Sequence, residues 1–159
     1  MKKLFLIIGI SGSGKTTFGK YLNHLIENSI HISFGEHIRN KSNNTDKSKL
    51  DEKKLEMVLI EILNYHERNI IIDGFPRDKE GIQVLKKIIN SKIIVLESVF
   101  ELNIDKKLCL ERVLKRNRDS QIKKHFENRY QEWISNKEMI HKKLKKLSTS
   151  YIIINEINY

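Results

Sequence analysis

Gly9-Ile10-Ser11-Gly12-Ser13-Gly14-Lys15-Thr16 is the stretch that decides the fold, because it matches the P-loop pattern G-x-x-x-x-G-K-[ST]. Its glycines let the backbone curl so that successive N–H groups face one anion. A helix opening near Lys15 adds the positive end of its dipole. In such a loop Lys15 reaches the β- and γ-phosphates of a nucleoside triphosphate, and the Thr16 hydroxyl approaches Mg²⁺. The flanks have the required character: Leu4 to Ile8 is an apolar run, and Lys15 to Glu27 reads as a helix. Two lysines followed by an apolar run can also open a secretory signal. Here the run is short and no small-residue cleavage site follows it, so a buried strand feeding the turn explains these letters better.

Working outward, four more segments read as strands. Ile30 to Ser33 is short and β-branched, and Asn69 to Asp73 is an apolar run of the doubly buried type. Val99 to Ile104 is taken as the fourth strand, with Ile93 to Leu96 competing for the role, and Tyr151 to Ile154 is the fifth. Helical spacing recurs at Leu55, Val58, Leu59, Ile62 and Leu63, again at Leu108, Val113 and Leu114, and at Ile122, Phe126, Tyr130 and Trp133. Ile140, Leu144 and Leu147 continue the last stripe. Strands alternating with helices imply parallel pairing through right-handed crossovers, hence an α/β three-layer sandwich with a five-stranded parallel sheet. The 159 residues are expected to form one domain, 1–159. Its polar stretch from Asn40 to Ser48 is read as an exposed loop within an inserted lobe.

The composition agrees with one soluble core. At 18.8 kDa, with 39% hydrophobic and 31% charged residues, the chain is large enough to bury a core and too polar to cross a membrane. A single cysteine, Cys109, rules out an internal disulfide and fits a reducing compartment. The net charge of +10 points to acidic partners, but 23 of the 30 basic residues are Lys in a chain without alanine, and much of that charge reads as solvated surface. The seven Arg are therefore the informative cations, since only a guanidinium offers a planar fork for bidentate phosphate binding.

Two segments narrow the triphosphate reading. His31-Ile32-Ser33-Phe34-Gly35-Glu36-His37-Ile38-Arg39 follows the second strand, and Asp73-Gly74-Phe75-Pro76-Arg77, with the only proline, follows the third. Here the chain resembles the adenylate kinase family of nucleoside monophosphate kinases. That family carries S-T-G-D-x-x-R and D-G-[FY]-P-R segments in this order after the P-loop. Arg112-Val113-Leu114-Lys115-Arg116-Asn117-Arg118-Asp119, with Arg129 a helical stretch later, is similar to its lid region. The resemblance covers residues 4 to 154 and takes in six of the seven Arg; Arg68 reads as a surface residue.

The resemblance implies a cytoplasmic, monomeric, Mg²⁺-dependent kinase that moves the γ-phosphoryl group of ATP to a nucleoside monophosphate, with AMP the default acceptor. It implies a P-loop kinase domain with an acceptor-binding insertion over about 34–66 and a very short lid over about 112–120. Gly9, Ser11, Gly12, Ser13, Gly14, Lys15, Thr16 and Thr17 would then hold the donor, with Arg112 over its base. Ser33, Phe34, Gly35, Arg39, Gly74, Arg77 and Gln83 would serve the acceptor. Lys15, Arg77, Arg116, Arg118 and Arg129 would serve the migrating group, and Thr16 with Asp73, the latter through water, the metal. Neither a membrane nor a nucleic acid is expected as a partner.

The chain also departs from the family. Thr16-Thr17 replaces Gly-Thr, Phe34 stands at the family's threonine, and position 81 is Gly where the family often has Gln, with Gln83 two residues late. A final family helix has no counterpart, so one sheet face is expected to be thinly covered and open to a partner that would cover it. Two rivals follow from the residues. A P-loop kinase for another small acceptor would use Asp73 or Glu36 to take a hydroxyl proton, and a non-catalytic nucleotide-binding module would need neither. The six His show no metal-ligand spacing, Cys109 reads as a small core residue, and Lys142, Lys143, Lys145 and Lys146 read as a solvated face.

Overall fold

The computed structural model describes residues 1–41, 50–116 and 120–157. Within them the elements are β1 (Lys2–Gly9), α1 (Lys15–Leu25), β2 (Ser29–Ser33), α2 (Phe34–Lys41), α3 (Glu52–Leu63), β3 (Asn69–Asp73), α4 (Lys79–Asn90), β4 (Ile94–Leu102), α5 (Lys106–Arg116), α6 (Ile122–Leu147) and β5 (Ser150–Ile154). The strands form one all-parallel sheet in the order β2-β3-β1-β4-β5. This is the α/β arrangement that the strand–helix alternation predicts. The polar stretch Asn40 to Ser48 lies mostly outside the described residues, as do Asn117, Arg118 and Asp119.

β1 and β3 sit inside the sheet, which is why both read as unbroken apolar runs: Leu6, Ile7, Ile70, Ile71 and Ile72 are fully buried. On one face α3, α4 and α6 bring Leu59, Ile62, Val84, Leu85, Ile140 and Leu144 onto Leu4, Leu6, Ile70, Ile72 and Val99. On the other, α1 sets Phe18 and Leu22 against Ile7, Ile71 and Leu102. This second layer is thin. Ile152, opposite Phe100 on the edge strand, keeps 42% of its surface exposed. A third cluster, Ile10, Cys109, Val113 and Phe126, fastens α5 and α6 beneath the P-loop.

Among the described residues α3, α4 and α5 start on side-chain caps, the last on Asp105, whose Oδ2 accepts from the Leu108 amide at 3.2 Å. Asp51 Oδ1 accepts from the Lys54 amide at 2.8 Å ahead of α3, and Asp78 Oδ1 from the Gly81 amide at 2.9 Å ahead of α4. The two segments competing for the fourth strand prove to be one. β4 runs through both, and the register against β1 slips between Leu4 and Phe5, passing from Leu96 to Ser98. A bulge at Glu97 absorbs the extra residue, so the polar Glu97-Ser98 pair interrupts the pattern without ending the strand. On α5 the inward residues are Cys109 and Val113, whereas Leu108 and Leu114 are exposed.

Candidate active site

The register of the sheet assembles the site. Ile7 and Ser33 both lie opposite Asp73, so the chain leaving β1, β2 and β3 emerges at one carboxyl edge. The paths leaving the neighbours β1 and β3 diverge there, into α1 on one face and α4 on the other, the place where an open α/β sheet leaves a crevice. The P-loop, the segment from Ser33 to Arg39 and the segment from Asp73 to Arg77 all line it.

The P-loop is held from below. Gly12 has φ +82°, and a Cβ there would strike the Cys109 carbonyl and lie 2.9 Å from Val113, so α5 packs flush against the loop. Gly14, at φ +93°, turns the chain into α1 from the left-handed region. Ser13 is buried inside the loop, where its Oγ has no hydrogen-bond partner among the described residues. Lys15 curls back, donating from Nζ to Gly9 O at 2.9 Å and Ile10 O at 2.8 Å. Burial pulls its pKa down to about 8; Arg77 and Arg129 push the same way, against Asp73 and Cys109.

Arg77 is subject to the same crowding. Its Nε donates to Gly74 O at 2.8 Å. Burial first, then Arg129, holds its pKa below the usual guanidinium range, while Glu132 opposes the fall. Burial disfavours the charged forms of Lys15 and Arg77, and Arg129 adds to that at both, so an anion arriving in the crevice would relieve them.

Two adjoining cavities open at this edge. The larger, about 360 Å³, is lined by Ser11, Gly12, Gly14, Thr16 and Thr17 on one side and by Ser33, Gly35, Arg39, Asp73 and Gly74 on the other. Lys15, Arg77 and Arg116 reach it as well. The smaller, about 110 Å³, lies where Gly9, Lys15 and Arg77 meet α6 at Arg129, Glu132 and Trp133. Arg112 reaches over the P-loop, its Nη1 donating to Gly12 O at 3.3 Å. Asp73 is buried at the end of β3, with Oδ2 2.6 Å from His31 Nε2.

Most of the residues singled out from the sequence are therefore brought together. Two are not. Phe34 is a core residue, 3% exposed, with its ring 4.9 Å from that of Phe75; an aromatic at that position is drawn under the sheet edge instead of facing the cavity. Gln83 is exposed on α4 and lines neither cavity, because the buried face of that helix falls on Ile82, Val84 and Leu85. Position 81, the glycine, packs against Pro76 and Phe75, where a Cβ would lie 3.0 Å from Pro76 Cβ. Arg118 lies outside the described residues.

The crevice also holds residues that the motifs do not mark. Glu36 lines the larger cavity, and His31 holds Asp73. Glu132 and Trp133 line the smaller one, three and four residues beyond Arg129 and hence on the same side of α6. That spacing was the available signal. Trp133 both packs on the core and reaches the cavity, so its apolar stripe told half of its position.

A family model described as an AAA domain matches residues 8–128, from the end of β1 into α6. An adenylate kinase of Helicobacter pylori (strain HPAG1) is 37% identical over 145 residues, covering 81% of this chain and 76% of that protein. One from Campylobacter curvus is 32% identical over 171 residues, covering 98% and 91%. One from Nautilia profundicola is 37% identical over 133 residues, covering 74% and 69%.

Proposed function

The chain belongs to the adenylate kinase family, and from that premise we propose that it transfers the γ-phosphoryl group of ATP to AMP. It is an ATP-dependent phosphotransferase of the nucleoside monophosphate kinase class; AMP is the acceptor named by the family to which its relatives belong. One observation carries the reading. Lys15, Arg39, Arg77, Arg116 and Arg129, from five separate segments, converge on two adjoining cavities at the P-loop.

The chemistry follows from the charges. Donor and acceptor are both anions and repel, and in the transition state charge spreads over the equatorial oxygens of the migrating group. A monophosphate already presents an anionic oxygen, so no protein base has to remove a proton. What remains is positioning and charge stabilisation. In this account the P-loop amides and Lys15 hold the donor phosphates, Arg39 and Arg77 hold the acceptor phosphate, and Arg116, Arg118 and Arg129 meet the phosphoryl group between them. Arg112 borders the donor side, over the P-loop.

Thr16 and Asp73 offer hard oxygen donors on the lining of the larger cavity, a set that suits Mg²⁺, which takes one or two protein oxygens beside substrate phosphates and water. Bound there, Mg²⁺ would neutralise charge on the donor phosphates. His31 fixes the orientation of the Asp73 carboxylate in advance. The domain reads as a single P-loop kinase unit, with an acceptor-binding insertion over about 34–66 that contains α2 and α3 and a very short lid over about 112–120. It is taken to act as a monomer in the cytoplasm.

The test is a panel of AMP, CMP, UMP, GMP and deoxynucleotide monophosphates, each with ATP and Mg²⁺, followed by formation of the two diphosphates. AMP is expected to give the highest kcat/KM. A clear preference for another base would overturn the assignment of the acceptor, and phosphorylation of nucleosides alone would overturn the class.

A further inference from the structure

The smaller cavity has an unexpected occupant among its walls. Three of its lining groups are cations, Lys15, Arg77 and Arg129, and one is a carboxylate, Glu132. Asp73, the other acid near Lys15, opens on the neighbouring cavity and is engaged by His31. Glu132 stands one helical turn from Arg129 on α6, an element fixed beneath the P-loop by Phe126 and to the core by Ile140 and Leu144. Its backbone position is thus fixed, and its side chain is exposed at the cavity wall. Its charge opposes the fall in the Arg77 pKa, which independently locates the carboxylate in the field of that guanidinium.

We propose that Glu132 is a built-in counter-anion that limits how tightly the cation cluster holds phosphate. The inference rests on the kinase reading, in that the phosphates it opposes are those of the bound nucleotides. In the ligand-free crevice the carboxylate offsets the repulsion that Arg77 meets from Arg129 and Arg39. When phosphates arrive they take over that role, and Glu132 becomes a like charge beside them. Affinity for donor, acceptor and products is lowered together. A site made of several cations around a polyanion would otherwise hold its products long enough for release to govern turnover. Glu132 is thus an affinity-setting residue, and its contribution is purely electrostatic: it touches no reacting atom and moves no proton.

Glu132→Gln keeps the shape and removes the charge, and Glu132→Asp keeps the charge. The probes are ADP and inorganic tripolyphosphate, with affinity measured by titration calorimetry at low and high salt, beside kcat and KM. Glu132→Gln is expected to bind both probes about five-fold more tightly at low ionic strength, with the gain shrinking as salt screens it. KM and kcat should fall together, as for slowed release, and Glu132→Asp should stay near the parent protein. Weaker or unchanged tripolyphosphate binding by a folded Glu132→Gln protein would overturn the proposal, because it would mean that the carboxylate orients the arginines or is irrelevant to them. The base plays no part in tripolyphosphate binding. A chain that shows the Glu132 effect yet phosphorylates no monophosphate would therefore contradict the kinase reading alone.

Discussion

Lys15 shows what the site requires of a single residue. Burial, against the pull of Asp73, holds its ammonium at about 8 instead of the ordinary 10.5. Between those values the unfolded chain carries a proton that the folded one has lost. Stability of the empty protein therefore rises with pH across that window, by up to about 3 kcal/mol, and the full penalty stands below pH 8. Phosphate binding has the opposite preference, for the charged form. ATP affinity is therefore expected to hold steady up to about pH 8 and then weaken, approaching ten-fold per pH unit, in a calorimetric series from pH 6.5 to 9.5. Affinity that stays flat through pH 9.5 would contradict this account of Lys15. Among residues, the motif positions were the legible ones: Gly12, Lys15, Asp73 and Arg77 have roles tied to fixed spacing. Phe34 misled because spacing gives a Cα position and not a side-chain direction, and that aromatic ring gains more by burial against Phe75. Glu132 belongs to no motif at all.

At the scale of elements, α6 matters most to the site because it is long and anchored at several points. Its 26 residues span about 39 Å, carrying Arg129 and Glu132 at one end and reaching β5 at the other. Near that far end a buried acid ties it to the sheet. Glu101 Oε1 on β4 accepts from the Tyr151 hydroxyl at 2.9 Å and lies 3.4 Å from His141 Nδ1 on α6, whose ring meets Tyr151 edge-on. Burial, then the bond to Glu101, drives the Tyr151 pKa well above the ordinary phenol range, so the hydroxyl remains a donor at every working pH. Tyr151→Phe is expected to lower stability by about 1–3 kcal/mol in urea unfolding, and by less in a Glu101→Gln background. No loss in the first case would show that the contact does not hold α6. The stripe from Ile122 to Leu147 was legible as helix because the 3.6-residue period persists. That it runs on as a single helix was legible from Ile140, Leu144 and Leu147, which resume the stripe beyond the polar run from Ser135 to Glu138. α4 went unmarked although its apolar positions are regular, and its cap, Asp78, directly follows the Arg77 motif that drew attention elsewhere.

For the whole molecule, the order of β and α segments was enough to predict a parallel sheet, because helices between strands leave little other choice. The strand order depends on long-range pairing, which no local pattern encodes, whereas the thin layer over Phe5, Phe100 and Ile152 was an expectation of the sequence. The site exists at this scale and no smaller one: five cations far apart in sequence meet only because three parallel strands end side by side. The decisive measurement follows from that. Arg77→Lys and Arg129→Lys keep each charge and remove the planar fork, so kcat for phosphoryl transfer from ATP to AMP is predicted to fall by about a hundred-fold or more in each, with ATP affinity changed by no more than about three-fold. Turnover near the parent value in both variants would contradict the claim that these guanidinium groups stabilise the migrating phosphoryl group.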